Sequence, residues 1–360
     1  MLLINFEQFC QQEHWQHQPY LPLNTVQPNP DFALWQRWLL RKTLSHDQLA
    51  QFPAAAVALH QGWQQYHLGE YTNAFNAFST CLLHTATNWP AINLDAALGI
   101  CRLYTRTGHW LHARHWGLYA LQLSRQHNRL FDISRSFNVL GDVFCRAGHT
   151  QLAHVFLMTS ANVLPQGSVH KARHYNSLAT TLLRQKALLR AEAVLMNSLY
   201  LAKDTEDTDS IWHALARLQW LYLEIAPGVK VTARFSAVLP AEQTPVALSY
   251  IELALAAMAL NQHDEASASQ LLLSAAKRTS AAFPVESAWF ARCAGLNISP
   301  ATTAFLNLPK QLPDTSLSTT VFDQSWLNAP LANEQLNWLT QRPAPLSAQR
   351  LLHERQYFFI

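Results

Sequence analysis

The chain has 360 residues, a formal net charge of +3, 49% hydrophobic residues and 14% charged residues, where about 25% charged is typical of soluble chains. That hydrophobic share excludes a disordered chain, and ten glycines are too few for a turn-rich sandwich or barrel. No stretch reaches the roughly 18 uncharged apolar residues of a membrane span, so no membrane partner is expected. The opening MLLINFEQFC carries Glu7 soon after its apolar residues and no basic start, which argues against a secretory signal. The five cysteines (Cys10, Cys81, Cys101, Cys145, Cys293) are widely spaced and odd in number. They are expected to be reduced, mostly buried thiols of a cytoplasmic protein.

In chain order, residues 1–50 form an N-terminal capping segment. Pro19, Pro22, Pro28 and Pro30 limit it to a short helix and a loop, and Asp31–Lys42 then reads as a helix with an Asp N-cap. Residues 51–205 hold four repeats. Three share a Gly and, five places on, an Ala: Gly69 with Ala74, Gly108 with Ala113, and Gly148 with Ala153. A fourth has Lys186 at the Gly place and Ala191 at the Ala place, and the steps between anchors are 39, 40 and 38 residues. Seven places before each anchor stands a small residue, Gly62, Cys101, Gly141 and Ala179. Such spacing fits two antiparallel helices per unit. The small residue and the Ala let the pair approach closely, and the anchor ends the first helix in a left-handed cap. A hairpin of this kind cannot bury its apolar face alone and must stack on the next. Pro90 and Pro165 are read as closing the first and third units.

Residues 206–280 continue as divergent helical repeats. Ile211–Glu224 is a first helix, Tyr250–Leu260 and Asp264–Ala276 form a further hairpin, and Ala266 is taken as its fixed Ala. Between them GVKVTARF alternates in a way that fits a short strand or an irregular link. Residues 281–360 carry seven of the 17 prolines and read as a Pro-rich helical cap, with short helices at Glu286–Gly295, Asn333–Thr340 and Ser347–Arg355 and an aromatic end, Tyr357 to Ile360.

Residues 55–203 resemble the tetratricopeptide repeat (TPR) family, most clearly in the third unit with Leu140, Gly141, Phe144, Gly148, Ala153 and Pro165. The resemblance implies an all-α fold, a right-handed superhelical solenoid of antiparallel helix pairs. The units here are longer than the family's usual ~34 residues. It also implies that first helices line a concave surface and that such a surface holds an extended peptide.

Charge gives that surface a character. Between Ala96 and Leu199 there are 12 Lys or Arg and three acids, Asp132, Asp142 and Glu192. A strongly basic array attracts an acidic partner at long range. The inner faces of the first helices would present Arg102, Arg106, Arg135, Asn138, Arg146, Arg173, Asn176 and Arg184, with Asp142 and Thr180 among them. Asn138 and Asn176 fall at equivalent places, as do Arg135 with Arg173 and Arg146 with Arg184. An Asn amide both donates to and accepts from a peptide backbone, and Arg forks take carboxylates bidentately. Trp63, Tyr66 and His67 would add an aromatic pocket at one end, with Trp35 and Trp38 sealing the core beside it.

The expected function is therefore a non-catalytic peptide- or protein-binding adaptor or regulator holding an acidic segment. A regulator binding nucleic acid through the same basic surface is the alternative. It lacks a helix-turn-helix or aromatic stacking positions among the arginines. No phosphate-cradling Gly loop, Gly-x-Ser-x-Gly elbow or His-Glu-x-x-His is present, so neither an enzyme nor a cofactor is expected. His109, His112 and His115 fan around a helix start, and Cys10, His14 and His17 cluster without an obvious fourth ligand, so no metal is expected. The acidic run Asp204 to Asp209 lacks the Gly and terminal Glu of a calcium loop and reads as a solvated link.

Overall fold

A computed structural model describes residues 34–35, 37–38, 42–84, 90–126, 128, 130–164, 168–240, 244–281, 283–298, 307–313, 326, 331 and 346–354. Every regular element among them is helical. The order is α1 (His46–Leu49), α2 (Ala54–His67), α3 (Tyr71–His84), α4 (Pro90–Arg106), α5 (Trp110–Gln126), α6 (Leu130–Arg146), α7 (Thr150–Val163), α8 (Val169–Arg184) and α9 (Leu188–Asp204). Then follow α10 (Thr208–Ile225), α11 (Val231–Arg234), α12 (Pro245–Asn261), α13 (Glu265–Thr279), α14 (Pro284–Cys293) and α15 (Ala348–Glu354). The chain is an all-α solenoid of antiparallel helix pairs in which consecutive helices pack on each other.

The first helix of each unit also touches the first helix of the next, from α2 through α4, α6, α8, α10 and α12. These helices therefore form a continuous inner wall. Each hairpin turn follows one rule. Gly148 sits at φ +88°, its N–H reaches Cys145 O at 3.1 Å, and His149 N–H reaches Phe144 O at 2.8 Å, satisfying carbonyls that end α6. Gly69 and Gly108 have the same positive φ, and Lys186 adopts it at +58° with matching bonds to Leu183 O and Leu182 O. The anchors thus separate equivalent helices. The small positions work as spacing devices: a Cβ on Gly141 would lie 2.5 Å from the Leu157 side chain, and one on Gly62 would lie 2.5 Å from the Phe78 ring.

A further rule ties the two helices of a pair. Ser160 Oγ donates to Ser134 O at 2.8 Å, Ser198 Oγ to Ala172 O at 2.8 Å, and Ser249 Oγ to Ala275 O at 3.3 Å. In the first two cases the serine lies on the second helix, and in the last on the first. Each satisfies a buried hydroxyl at a place where close approach leaves no room for a larger side chain.

Three sequence expectations change. GVKVTARF holds no strand: Val231–Arg234 is a helical turn and Ser236–Val238 a 3-10 turn, with Gln219 accepting from Val231 N–H and donating to Val229 O. Ala266 is exposed, and the fixed Ala of that hairpin is the buried Ala268, five places after His263, which sits at φ +61°. Helix α4 starts at Pro90, so this proline opens a unit rather than closing one, as its locked φ and absent N–H suit. The expectations for residues 1–33, Pro165, Asn333–Thr340 and the aromatic end lie outside the described residues, and of Asp31–Lys42 only Leu34, Trp35, Arg37, Trp38 and Lys42 are described.

The far end of the chain returns to the second unit. Arg106 on α4 donates to Glu286 on α14 at 2.5 Å and stacks over Phe283 at 5.1 Å. Residues 307–313 cross α4 and α5, where Trp116 Nε1 donates to Gln311 O at 2.9 Å and Gln311 N–H to Tyr104 Oη at 3.1 Å. Trp326 packs on Phe156 with ring centres 4.8 Å apart.

Candidate functional site

The inner wall encloses a cavity of about 260 Å³. Seven of the ten residues singled out from the sequence line it: Tyr66 from α2, Arg102 and Arg106 from α4, Asn138 and Arg146 from α6, Arg173 and Asn176 from α8. Their environments differ sharply. Arg106 is held by Glu286 and by Tyr66 Oη at 2.6 Å. Burial alone would lower its pKa, but the Glu286 carboxylate outweighs it and holds the guanidinium charged. Arg146 pairs with Asp142 at 3.0 Å one turn away. Arg173, half exposed, grips both oxygens of Asp207, at 3.1 and 3.2 Å, and that carboxylate holds its pKa up.

Arg102 is the exception. Its guanidinium stacks over the Trp63 ring at 5.7 Å and, among the described residues, has neither a hydrogen bond nor an ion pair. Burial lowers its pKa, as expected of a cation without a contacting carboxylate. A charged group held in this state favours an incoming anion strongly, because the desolvation has already occurred on folding.

The two asparagines also differ. Asn176 is 3% exposed, and its Nδ2 donates to Ser210 O at 3.0 Å, the next unit's first helix. That bond fixes the amide orientation, so the buried Oδ1, which has no partner among the described residues, is an acceptor. Asn138 lines the same cavity with a buried Nδ2 that has no partner among the described residues. Asn176 is thus half structural, whereas Asn138 makes no hydrogen bond among the described residues.

The other three singled-out residues lie elsewhere. Trp63 is 1% exposed and packs edge-on against Phe78, and its Nε1 donates to Asp95 at 3.1 Å. It is a core residue and reaches the cavity only through Arg102. Arg135 is paired with Asp95 and, at 3.3 Å, with Asp132. Arg184 Nη1 donates to Cys145 O. Among the described residues no group of three His, Cys, Asp or Glu side chains is placed to hold a metal ion. Cys10, His14 and His17 lie outside those residues.

The sequence reading missed the fifth unit's share of the site: Asp209, Ser210, His213 and Arg217 line the cavity. The signal was the repeat itself. Counting 37 residues on from Asn176 reaches His213, and the same step from Thr180 reaches Arg217. Arg217 is buried, donates to Thr180 Oγ1 at 2.9 Å and to His213 O at 2.7 Å, and burial pushes its pKa down to about 9. Burial pushes the His213 pKa down to about 4 against the pull of Asp209, whose carboxylate is 3.7 Å away, so the imidazole is neutral at pH 7. Its Nδ1 is buried without a partner among the described residues. Asp209 is 51% exposed and has no other ion pair among the described residues.

Comparison with known protein families and with curated proteins returned no match. No helix among the described residues is long and apolar enough to cross a membrane.

Proposed function

We propose that the chain is a non-catalytic binding module of the tetratricopeptide repeat kind, a cytoplasmic adaptor or regulator that holds an acidic peptide segment in its inner cavity. The observation that carries this reading is Arg102, a stacked, half-buried guanidinium that meets no carboxylate among the described residues, facing a cavity that also holds the amide atoms Asn138 Nδ2 and Asn176 Oδ1, unsatisfied among those residues. Unsatisfied buried polar groups cost about 1–3 kcal/mol each, and a bound backbone and carboxylate would satisfy them. The buried, reduced state of Cys81, Cys101, Cys145 and Cys293 supports the cytoplasmic placement.

A polyanion contacting phosphates along the array is a weaker account, because most of the cavity arginines already meet carboxylates of this chain. A fluorescent Glu/Asp-rich peptide titrated at rising salt separates the two. Peptide affinity should fall gently with salt and disappear in Arg102→Gln. A steep log–log decline, shared by single-stranded RNA and indifferent to Arg102→Gln, would favour the nucleic-acid account.

A further inference from the structure

The unsatisfied groups in the cavity are ordered. Among the described residues four consecutive first helices contribute one each: the Arg102 guanidinium on α4, stacked over Trp63 without a hydrogen bond, and the buried atoms Asn138 Nδ2 on α6, Asn176 Oδ1 on α8 and His213 Nδ1 on α10. Arg102 is a donor, and Asn138 turns its Nδ2 donor to the cavity with no hydrogen bond among the described residues to hold its amide the other way. Asn176 Oδ1 is an acceptor, because Ser210 O already takes its amide N–H. At His213 the carboxylate of Asp209 lies on the Nε2 side, 3.7 Å away. A neutral ring places its proton there and leaves Nδ1 as an acceptor. Asp209 itself, half exposed on the same cavity wall, adds a negative charge to the acceptor side. Taken with these groups, the cavity offers open donors at α4 and α6 and open acceptors at α8 and α10, where Arg173 is taken by Asp207 and Arg217 donates to Thr180 Oγ1 and His213 O.

A simple anion would satisfy only the first half, and a simple cation only the second. We propose that the cavity selects a ligand group carrying a carboxylate together with an N–H or ammonium donor, the carboxylate on Arg102 and Asn138 and the donor on Asn176 and His213. An amino acid has this chemistry, either free or as an acidic residue whose own backbone N–H is the donor, and the cavity volume of about 260 Å³ suits a group of that size. The inference deepens the peptide reading above and rests on it only in taking this cavity as the ligand site.

Three probes titrated calorimetrically into the full chain test it. Glutamate carries carboxylates and an ammonium, glutarate carries the carboxylates alone, and acetyl-glutamate amide carries a carboxylate and neutral N–H donors. Glutamate, the acetyl amide or both should bind at least about tenfold tighter than glutarate. Arg102→Gln should weaken every probe by about tenfold or more, with Arg102→Lys recovering part of it. Asp209→Asn and His213→Phe should narrow the preference over glutarate, His213→Phe by weakening the probes that carry a donor and Asp209→Asn also by strengthening glutarate as a repelling charge is lost. Preference for the acetyl amide identifies a peptide-borne residue as the source, and preference for glutamate a free amino acid. Equal affinity for glutarate overturns the proposal. So does the absence of any binding while a Glu/Asp-rich peptide binds, an outcome that leaves the peptide reading standing. A Glu/Asp-rich peptide that ignores Arg102→Gln removes both.

Discussion

On the α4 side of the cavity Arg102 lies over Trp63 and meets no carboxylate among the described residues, whereas on the α8 side Arg173 is gripped by both oxygens of Asp207. Both are arginines on equivalent first helices, in a span where 12 basic residues face three acids. The difference lies in where the neutralising acids come from. Asp95, Asp207, Glu224 and Glu286 pair with Arg135, Arg173, Lys186 and Arg106, and all four acids sit outside the span between Ala96 and Leu199. In a solenoid a residue's neighbours are one unit away in sequence, so a local count of charge overstates what is available to a ligand. With Arg146 on Asp142, five of the 12 are neutralised within the chain, and of the span's four arginines that line the cavity only Arg102 meets no carboxylate among the described residues.

Breaking the internal pairs should therefore cost stability, and breaking Arg102 should cost only binding. The largest effect is expected at Glu286→Ala, which leaves the Arg106 charge buried beside Tyr66 and Phe283. Removing one partner of such a pair costs ~3–5 kcal/mol, measurable as a lower urea midpoint. Next comes Gly141→Ala, where the new methyl collides with Leu157, for ~1–3 kcal/mol. Acid should act through the buried histidines. Burial pushes His174 down to about 3 and His109 and His213 to about 4. Each value lies below the ~6.5 of the unfolded chain, so the unfolded state takes up the proton first. This share of stability is fully present above about pH 6.5 and is lost as pH falls toward the folded values, at up to ~1.4 kcal/mol per pH unit for each histidine. Urea melts at pH 7.5, 6 and 5 should show it, and an unchanged midpoint would contradict it.

The smallest effects sharpen the contrast between the asparagines. Asn176→Ala should cost ~1–2 kcal/mol because Ser210 O loses its donor. Asn138→Ala, with no bond to lose, should stay within ~0.5 kcal/mol. The double variant is therefore not neutral for melting, as equivalence of the two asparagines in sequence would suggest.

The helix pairs were legible because their physics is local. A left-handed cap, a small residue seven places before it and an Ala five places after it all lie within one hairpin. Lys186 and His263 show the limit: the fold requires positive φ there, and the residue type does not announce it. The site was legible where it followed the repeat, at Asn138, Asn176 and the arginines of α4 and α6. Trp63 was misplaced because it occupies the register place of Arg102 one unit earlier, while its ring is drawn into the core by Phe78 and Asp95. Arg135 and Arg184 were misplaced because Asp95 and Cys145 O, 40 and 39 residues away, take them first. The closure by Glu286 had no sequence signal at all, since it depends on how far the solenoid turns over 180 residues.

The most direct measurement compares Arg102→Gln with Arg173→Gln in the titration of a fluorescent Glu/Asp-rich peptide, with folding of each checked by its urea midpoint. Loss of binding at Arg102→Gln with a near-native midpoint, and retained binding at Arg173→Gln with a lowered one, is the expected result. Equal binding by wild type and Arg102→Gln would contradict the account.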